Sequence, residues 1–487
     1  MYMCIPISTP QANHSRSRRR RNVTTYFTDG RQLRPMTPRV VYYSDIENAY
    51  DDPERVGRLA GTIDALRDDR TVVVGAGDDT APGVLALRTE GHQSLDFFDA
   101  VEPDFETFGN HDFDFGTEPL REIVADSPQR WLSANVYDES GTNQFADADP
   151  TAVVERAGER VGFVGVTDPK TPEIATGAAD LTLTDPVAEV RDVLSDLRER
   201  ADHVVVLAHL REENEREIAA LDGVDAILGG HVHVERHERV DGTLLLRPNA
   251  NGQVVWAVEL GEEATATRHE VPDGPRHEGV AEALRNRMEA TGLTEVVATV
   301  EDPIVRERDR RYGGECRVAN LVIDAYRWAT GADVAFVQNG SLRDGAPLSG
   351  AVTVADLVGV APFGGELEVV PVSGAQLRDL VATVLAPEGA PTGDGRKWWG
   401  HFGGLRIDYD PDANAVRDVR LEDGPLDPDA QLAVAANAFD VRADPTPMDP
   451  DDAVASWDVQ YEAIVEYARE NGLDVELDGR LSPVGGE

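Results

Sequence analysis

Side chains able to hold metal ions or move protons recur in this chain at the ends of short apolar runs. They are Asp45 and Glu47 in "SDIEN", Asp78 in "GAGDD", Asn110 and His111 in "TFGNHDFDFG", His209 in "VVVLAHL", and His231 and His233 in "LGGHVH". Mixed carboxylate, amide and imidazole donors without thiolate suit Mn, Zn or Fe(II) better than Ca or Mg alone. Asp45, Glu47, Asp78, Asn110, His209, His231 and His233 are too many for one ion, whereas a pair sharing Asp78 as a bridge accounts for them all. Two ions roughly 3.5–4 Å apart can clamp the attacking and leaving oxygens of a phosphoryl transfer. Water bound to such ions has its pKa lowered toward about 7, so hydroxide attack at neutral pH needs no serine or cysteine.

Donors scattered over some 190 residues must be gathered by rigid elements, and the pattern from Val40 to about Leu260 supplies them. Apolar runs "RVVYYS", "TVVVGAG", "ADHVVVLA" and "VDAILGG" read as strands, each ending on a donor. Loops at the carboxyl ends of such strands can collect polar groups from distant sequence into one crevice. Between them, "PERVGRLAGTIDALRDD" opens on a proline suited to a first helical turn, and "DPVAEVRDVLSDLRERA" repeats apolar residues at three and four positions. The stretch "GTLLLRPNANGQVVWAVELG" reads as a hairpin that closes the unit.

The blocks "DIE", "GDD", "GNHD", "AHL" and "GHVH" stand in the order of the pattern D-x-H, G-D, G-N-H-[DE], H, G-H-x-H, and four of the five match outright. In this the chain resembles the calcineurin-like metallophosphoesterases, specifically 5′-nucleotidases of bacterial type with a C-terminal nucleotide-binding domain. The resemblance implies a four-layer α/β sandwich, two mixed β-sheets flanked by helices, followed by a second α/β domain that binds substrate. It also implies that one ion takes Asp45, Glu47, Asp78 and His233, and the other Asp78, Asn110, His209 and His231. His111 would then contact the phosphoryl group, stabilising charge or helping the leaving group, with Asp114 orienting it and Asp112 in a supporting role. The departure is Glu47, where the family has histidine; a carboxylate is harder and more negative, which shifts the preference toward Mn or Fe.

The resemblance continues through "GGECRVANLVIDAYR", "GADVAFVQNGSLRDG", "VAPFGGELEVVPVSG" and "LAVAANAFD". An arginine near a metal cleft recognises phosphate with two parallel hydrogen bonds, which makes Arg343 the first candidate and Arg317 the second. By the same resemblance Phe363 and Phe439 sandwich a base; Asn339 and Asn437 either fix loops near it or simply make turns. Gly365 replaces a polar residue in "PFGG", "DVRADPTPMD" stands where the family is rich in Gly and Asp, and "NGSLR" is one residue shorter than usual. Hydrolysis of a phosphate ester is therefore better supported than specificity for a nucleotide.

The expected organisation is a tail or upstream mis-start over 1–35, a catalytic domain over 36–265, a linker with one helix over 266–300, and the substrate domain over 301–487. A net charge of −44 in 487 residues points to a halophile cytosol, where molar salt shortens the Debye length to about 3 Å and screens self-repulsion. The same charge disfavours a DNA exonuclease, since phosphate backbones need basic surface. Cys4 and Cys316 are the only cysteines, too few for a disulfide framework or a thiolate zinc site. "SRSRRRRN" has no apolar run after it, as an export signal would require, and no stretch is apolar enough to span a membrane. The remaining histidines, His203 and His401 among them, carry no ligand spacing and read as ordinary or solvated. The leading reading is thus a cytoplasmic phosphohydrolase acting on nucleoside 5′-monophosphates or related small esters. Its rivals are a 2′,3′-cyclic nucleotide or nucleotide-sugar phosphodiesterase, and a decayed site that binds nucleotide without turnover.

Overall fold

In the computed structural model the described residues are 36–384, 398–410, 413, 415–443 and 446–484. The expected tail over 1–35 lies outside them. The valine runs form strands because their β-branched side chains suit a pleated surface, and alternation decides what each side faces. In Arg39–Tyr43, Val40 and Tyr42 point into a core between two sheets, whereas Val41 and Tyr43 point to a helical layer. That strand pairs in parallel with Thr71–Gly75 and antiparallel with Val254–Leu260. A six-stranded sheet results, completed by Phe105–Glu106, Arg130–Trp131 and Ala264–Glu270.

The second six-stranded sheet holds Glu159–Thr167, His203–His209, Ala226–Gly229 and Thr243–Pro248 in parallel, edged by Glu235–Val240 and Thr151–Arg156. Its inner face meets the first sheet through Phe163, Val205, Leu207, Leu228 and Leu246. Its outer face is covered by helices Pro186–Arg200 and Glu212–Ala219, through Val190, Leu194, Leu197 and Ile218. Helices Pro53–Leu66 and Ser94–Val101 cover the outer face of the first sheet, giving the four-layer sandwich.

The expected hairpin over 242–261 is not one. Thr243–Pro248 belongs to the second sheet and Val254–Leu260 to the first, so "NANG" is a corner between layers. Asn249, Asn251 and Gly252 take positive φ there. Both runs are buried along nearly their whole length, and a turn between two fully buried strands reads alike whether they pair or part. The first sheet also extends to Glu270, past the boundary expected at 265. Helix Glu278–Ala290 packs against Pro53–Leu66 and Ser94–Val101, with Arg287 bonded to both carboxylate oxygens of Asp96 at 2.7 and 2.8 Å.

Beyond it, a five-stranded sheet runs in the order Gly400–Gly403, Val334–Gln338, Gln431–Asn437, Glu366–Ser373, Ala455–Val459. Helix Arg317–Thr330 packs on it, closed by Gly331 at φ +69° as a left-handed C-terminal stop. One apolar cluster continues from Tyr43 and Phe97 through Leu284 and Leu293 to Val300, Leu321 and Ile464, so the two domains share packing.

Phe163 is fully buried between the sheets, with its ring 5.1 Å from that of Phe105. Phe163→Ala is expected to lower the unfolding free energy by about 3–5 kcal/mol, read as a lower urea midpoint by circular dichroism. A loss under about 1 kcal/mol would mean that the sheets do not depend on that contact.

Candidate active site

All the parallel strands of both sheets end on one edge, and the donors sit in the loops that leave it. Asp45 follows Arg39–Tyr43, Asp78 follows Thr71–Gly75, and Asn110 follows Phe105–Glu106. From the other sheet, His209 ends its strand and His231 follows Ala226–Gly229. The backbone is bent hard to aim them: φ is +55° at Asp45, +47° at Glu47, +57° at Asp78 and +70° at His231. Non-glycine residues held there cost on the order of 1–3 kcal/mol each, and such strain gathers where function demands a particular direction. Gly109 allows a close approach, since a Cβ there would lie 2.1 Å from Oδ1 of Asp78.

Potential ligand atoms of Asp78, His209 and His231 lie within 4.8 Å of one another, as do those of Asp45, Glu47 and His233, and those of Glu47, Asp78 and His111. Oδ1 of Asn110 is 2.7 Å from Nδ1 of His231. The seven expected donors therefore converge, with His111 beside them.

The donors also fit cations at the level of single atoms. Nδ1–H of His209 donates to the carbonyl of Ala76 at 2.9 Å, leaving Nε2 as the lone-pair nitrogen of the neutral ring. That Nε2 is buried and lies 2.9 Å from Oδ2 of Asp78, yet makes no hydrogen bond. Oε1 of Glu47 likewise lies 2.8 Å from Nε2 of His233 without one. Before an ion binds, burial opposes protonation of His209 but Asp78 lifts its imidazole to about 9, and Asp45 and Glu47 lift that of His233 to about 10, so each ring is protonated at neutral pH. Once that proton is displaced, lone-pair atoms brought this close are what two ligands of one cation look like. Burial raises the pKa of Glu47, and the nearby imidazole of His233 offsets that rise only in part. At Asp78, by contrast, the charges of His209 and His111 overcome burial and hold the carboxyl down at about 2.

His111 Nδ1 lies 2.9 Å from Oδ2 of Asp114, the dyad expected from their spacing. Burial lowers the His111 pKa, but Asp78 and Asp114 outweigh it and lift the imidazole to about 10. Asp112 holds the frame: it accepts from the backbone N–H of Asp78, Asp79, Thr80 and Gly109 and from the hydroxyl of Thr80.

Asp168 was not among the expected residues. It is buried at the end of Glu159–Thr167, with Oδ2 3.2 Å from Nε2 of His231, and it accepts from Nε of Arg211 at 2.7 Å. "RVGFVGVTD" obeys the same strand-end rule that selects Asp45 and Asp78, so the signal was there.

The second domain divides its candidates. Arg343 lies over the ring of Phe363 at 4.3 Å, and its Nη1 donates to the carbonyl of Gly340. Phe439 is 70% exposed. A Cβ on Gly365 would sit 3.9 Å from that of Ala438, so the turn after Phe363 adjoins the helix carrying Phe439. Arg317 is spent elsewhere, donating to the carbonyl of Val475 at 2.6 Å and to Asp302 at 2.7 Å. Asn339 is buried and donates to the carbonyls of Arg311 and Trp398 at 3.1 and 2.6 Å, a loop-holding arrangement. Asn437 caps helix Ala438–Arg442, its side chain accepting from the N–H of Asp440.

Residues 38–235 match the calcineurin-like phosphoesterase family, and residues 296–444 match the 5′-nucleotidase C-terminal domain. The chain is 24% identical over 409 residues to the endonuclease YhcR of Bacillus subtilis (strain 168), covering 76% of this chain and 32% of that protein. It is 31% identical over 180 residues to a probable 5′-nucleotidase of Treponema pallidum (strain Nichols), covering 36% of this chain and 30% of that one. It thus spans about a third of the length of these relatives. The fold is that of the 5′-nucleotidase precursor from Thermus thermophilus, with TM-score 0.65 and 24% identity over 93% of this chain and 100% of that one.

Two outcomes follow. Gly109→Ala drives a methyl into the Asp78 carboxylate, and a displacement of about 1 Å at such a centre costs roughly 100-fold in turnover; unchanged hydrolysis by a folded variant would refute the tight fit. His401, expected to be ordinary or solvated, is buried, with Nε2 3.1 Å from the carbonyl of Arg311 and from Oδ1 of Asn339. Burial lowers its pKa to about 4. The unfolded chain then binds a proton below about 6.5 that the folded one refuses, so stability falls as pH drops from 6.5 toward 4, by about 1.4 kcal/mol per unit. Urea midpoints at pH 7 and 5 should separate for the native chain and draw together in His401→Gln.

Proposed function

We propose that this chain, which belongs to the calcineurin-like phosphoesterases and carries a 5′-nucleotidase C-terminal domain, releases phosphate from nucleoside 5′-monophosphates or closely related small esters. Metal-dependent hydrolysis of phosphoesters is the activity of the family; the nucleotide is the finer reading. The observation that carries it is the convergence of the Asp45–Glu47–His233 and Asp78–His209–His231 groups beside His111. Two divalent ions held there would supply Lewis-acid activation of water and neutralise charge on the phosphate.

The protein's own part is positional and electrostatic. Asp45, Glu47 and His233 would hold one ion and Asn110, His209 and His231 the other, with Asp78 available to either. Asp168 fixes the ring of His231 from behind, as carboxylates do for ligating imidazoles. Asp114 engages Nδ1 of His111 and leaves Nε2 for the phosphoryl oxygens or the leaving group. With three carboxylates and one imidazole, the group containing Glu47 favours Mn or Fe(II). In the second domain, Arg343 and Phe363, with Phe439 on the adjoining helix, would form the surface offered to the rest of the nucleotide. The acidic chain, with its −44 net charge, favours a small ester over a nucleic acid polymer and a salt-adapted cytoplasm as its setting.

Chelated protein reloaded with Mn, Zn, Co or Mg in high salt is expected to hydrolyse 5′-AMP faster than 3′-AMP, 2′,3′-cyclic AMP, UDP-glucose, ADP or single-stranded DNA. Turnover of p-nitrophenyl phosphate alone would sink the nucleotide reading and leave the phosphatase. His111→Ala should lower kcat by about 100-fold or more while the bound metal, counted by elemental analysis, stays the same. An equal kcat would remove His111 from the reaction.

A further inference from the structure

Behind the histidine loops lies an ion pair that the reaction does not use. Arg247, at the end of Thr243–Pro248, and Glu215, in helix Glu212–Ala219, are both fully buried. Nε of Arg247 donates to the two carboxylate oxygens at 3.1 and 3.2 Å, and Nη2 lies 2.7 Å from Oε2. The rest of the guanidinium reaches forward. Nη2 donates to the carbonyl of Leu210 at 3.0 Å, and Nη1 to that of Val232 at 3.3 Å. Leu210 follows His209, and Val232 separates His231 from His233. One planar group therefore ties together the two loops that deliver three imidazoles.

Stability does not explain the pair. A buried ion pair seldom outperforms apolar side chains of the same volume, because desolvation consumes much of the attraction. Apolar side chains cannot hold two carbonyls at a fixed separation, whereas a rigid fork of donors can. The surroundings are shaped to keep that fork still. Gly229 leaves room for the carboxylate, since a Cβ there would lie 2.2 Å from Oε1 of Glu215. Nε1–H of Trp256 donates to the carbonyl of Arg247 at 3.1 Å.

We propose that Arg247, braced by Glu215, is a positioning residue that sets the spacing between the His209 loop and the His231–His233 loop, and through it the affinity of both metal positions. It touches neither substrate nor ions. The inference rests on the two-ion reading given above.

Calorimetric titration of chelated protein with Mn(II) and Zn(II), alongside thermal melts, tests it in the full chain. The double variant Arg247→Met with Glu215→Leu is expected to melt at or above the native temperature while binding both ions about 10- to 100-fold more weakly. Arg247→Lys keeps the charge but cannot span both carbonyls and the carboxylate. It should lose about 10-fold in affinity with little change in melting, and it decides the matter if the double variant does not fold. Native affinity in either folded variant overturns the proposal, as does a loss of affinity only in step with a fall in melting temperature. Native protein that takes up no ions would instead overturn the two-ion reading itself.

Discussion

Carboxylates and imidazole lone pairs repel one another, and this fold forces many of them together at one sheet edge. Everything else about the catalytic domain serves that constraint. Two sheets are packed face to face so that their parallel strands end side by side, and residues more than a hundred positions apart arrive within a few ångströms. The local backbone is strained at Asp45, Glu47, Asp78 and His231. That strain is tolerable only because the surroundings over-determine it: the valine core below cannot slide, and Asp112 gathers its donors from the loops of Asp78 and Asn110 alike. A site of this kind is stiff before any ion arrives, which is what gives divalent ions a preference for it over flexible carboxylates elsewhere on an acidic surface.

The layer behind the donors follows the same logic with opposite charge. Asp168 bridges Arg211 and His231, and Arg247 bridges Glu215 and the carbonyls of Leu210 and Val232. Both arginines act on the loops of the second sheet. In the first sheet Asp112 holds the loops by receiving backbone N–H groups, while Asp45 reaches across to the second sheet, its Oδ1 accepting from the N–H of His231.

Much of this was legible in the sequence, and for identifiable reasons. A valine run that ends on Asp or His is a strand delivering a donor, and that rule found the donors without any knowledge of pairing. It would have found Asp168 as well, but "TDPKTP" also reads as an ordinary turn, and a single carboxylate there has no partner close in sequence. Arg247 was hidden more deeply, because an arginine inside "LLLRPN" gives no hint of the carbonyls it will meet. Those belong to residues 15 and 37 positions away. The corner at "NANG" was misread because strand signals report burial and extension but not which sheet a strand joins. In the second domain, spacing distinguished poorly among the arginines of "ERDRRYGGECR". It is Arg311, buried against the carbonyls of Asn339 and Leu342, that holds the loop leading to Arg343.

Contact between the domains limits what the second one can contribute. Arg88, in the first domain, lies 5.1 Å over the ring of Tyr461 and pairs with Glu462, both in the second. The continuous apolar cluster through Leu284, Leu293 and Leu321 adds a broad interface that would be costly to expose. The helix that ends near Arg88, Val84–Thr89, begins only a few residues after Asp78. Asp78, common to two of the candidate metal groups, and the interdomain contact are thus on one short segment of chain. The surface carrying Arg343 and Phe363 therefore belongs to a body anchored to the same segment that carries Asp78, so its separation from the candidate metal groups is set by packing.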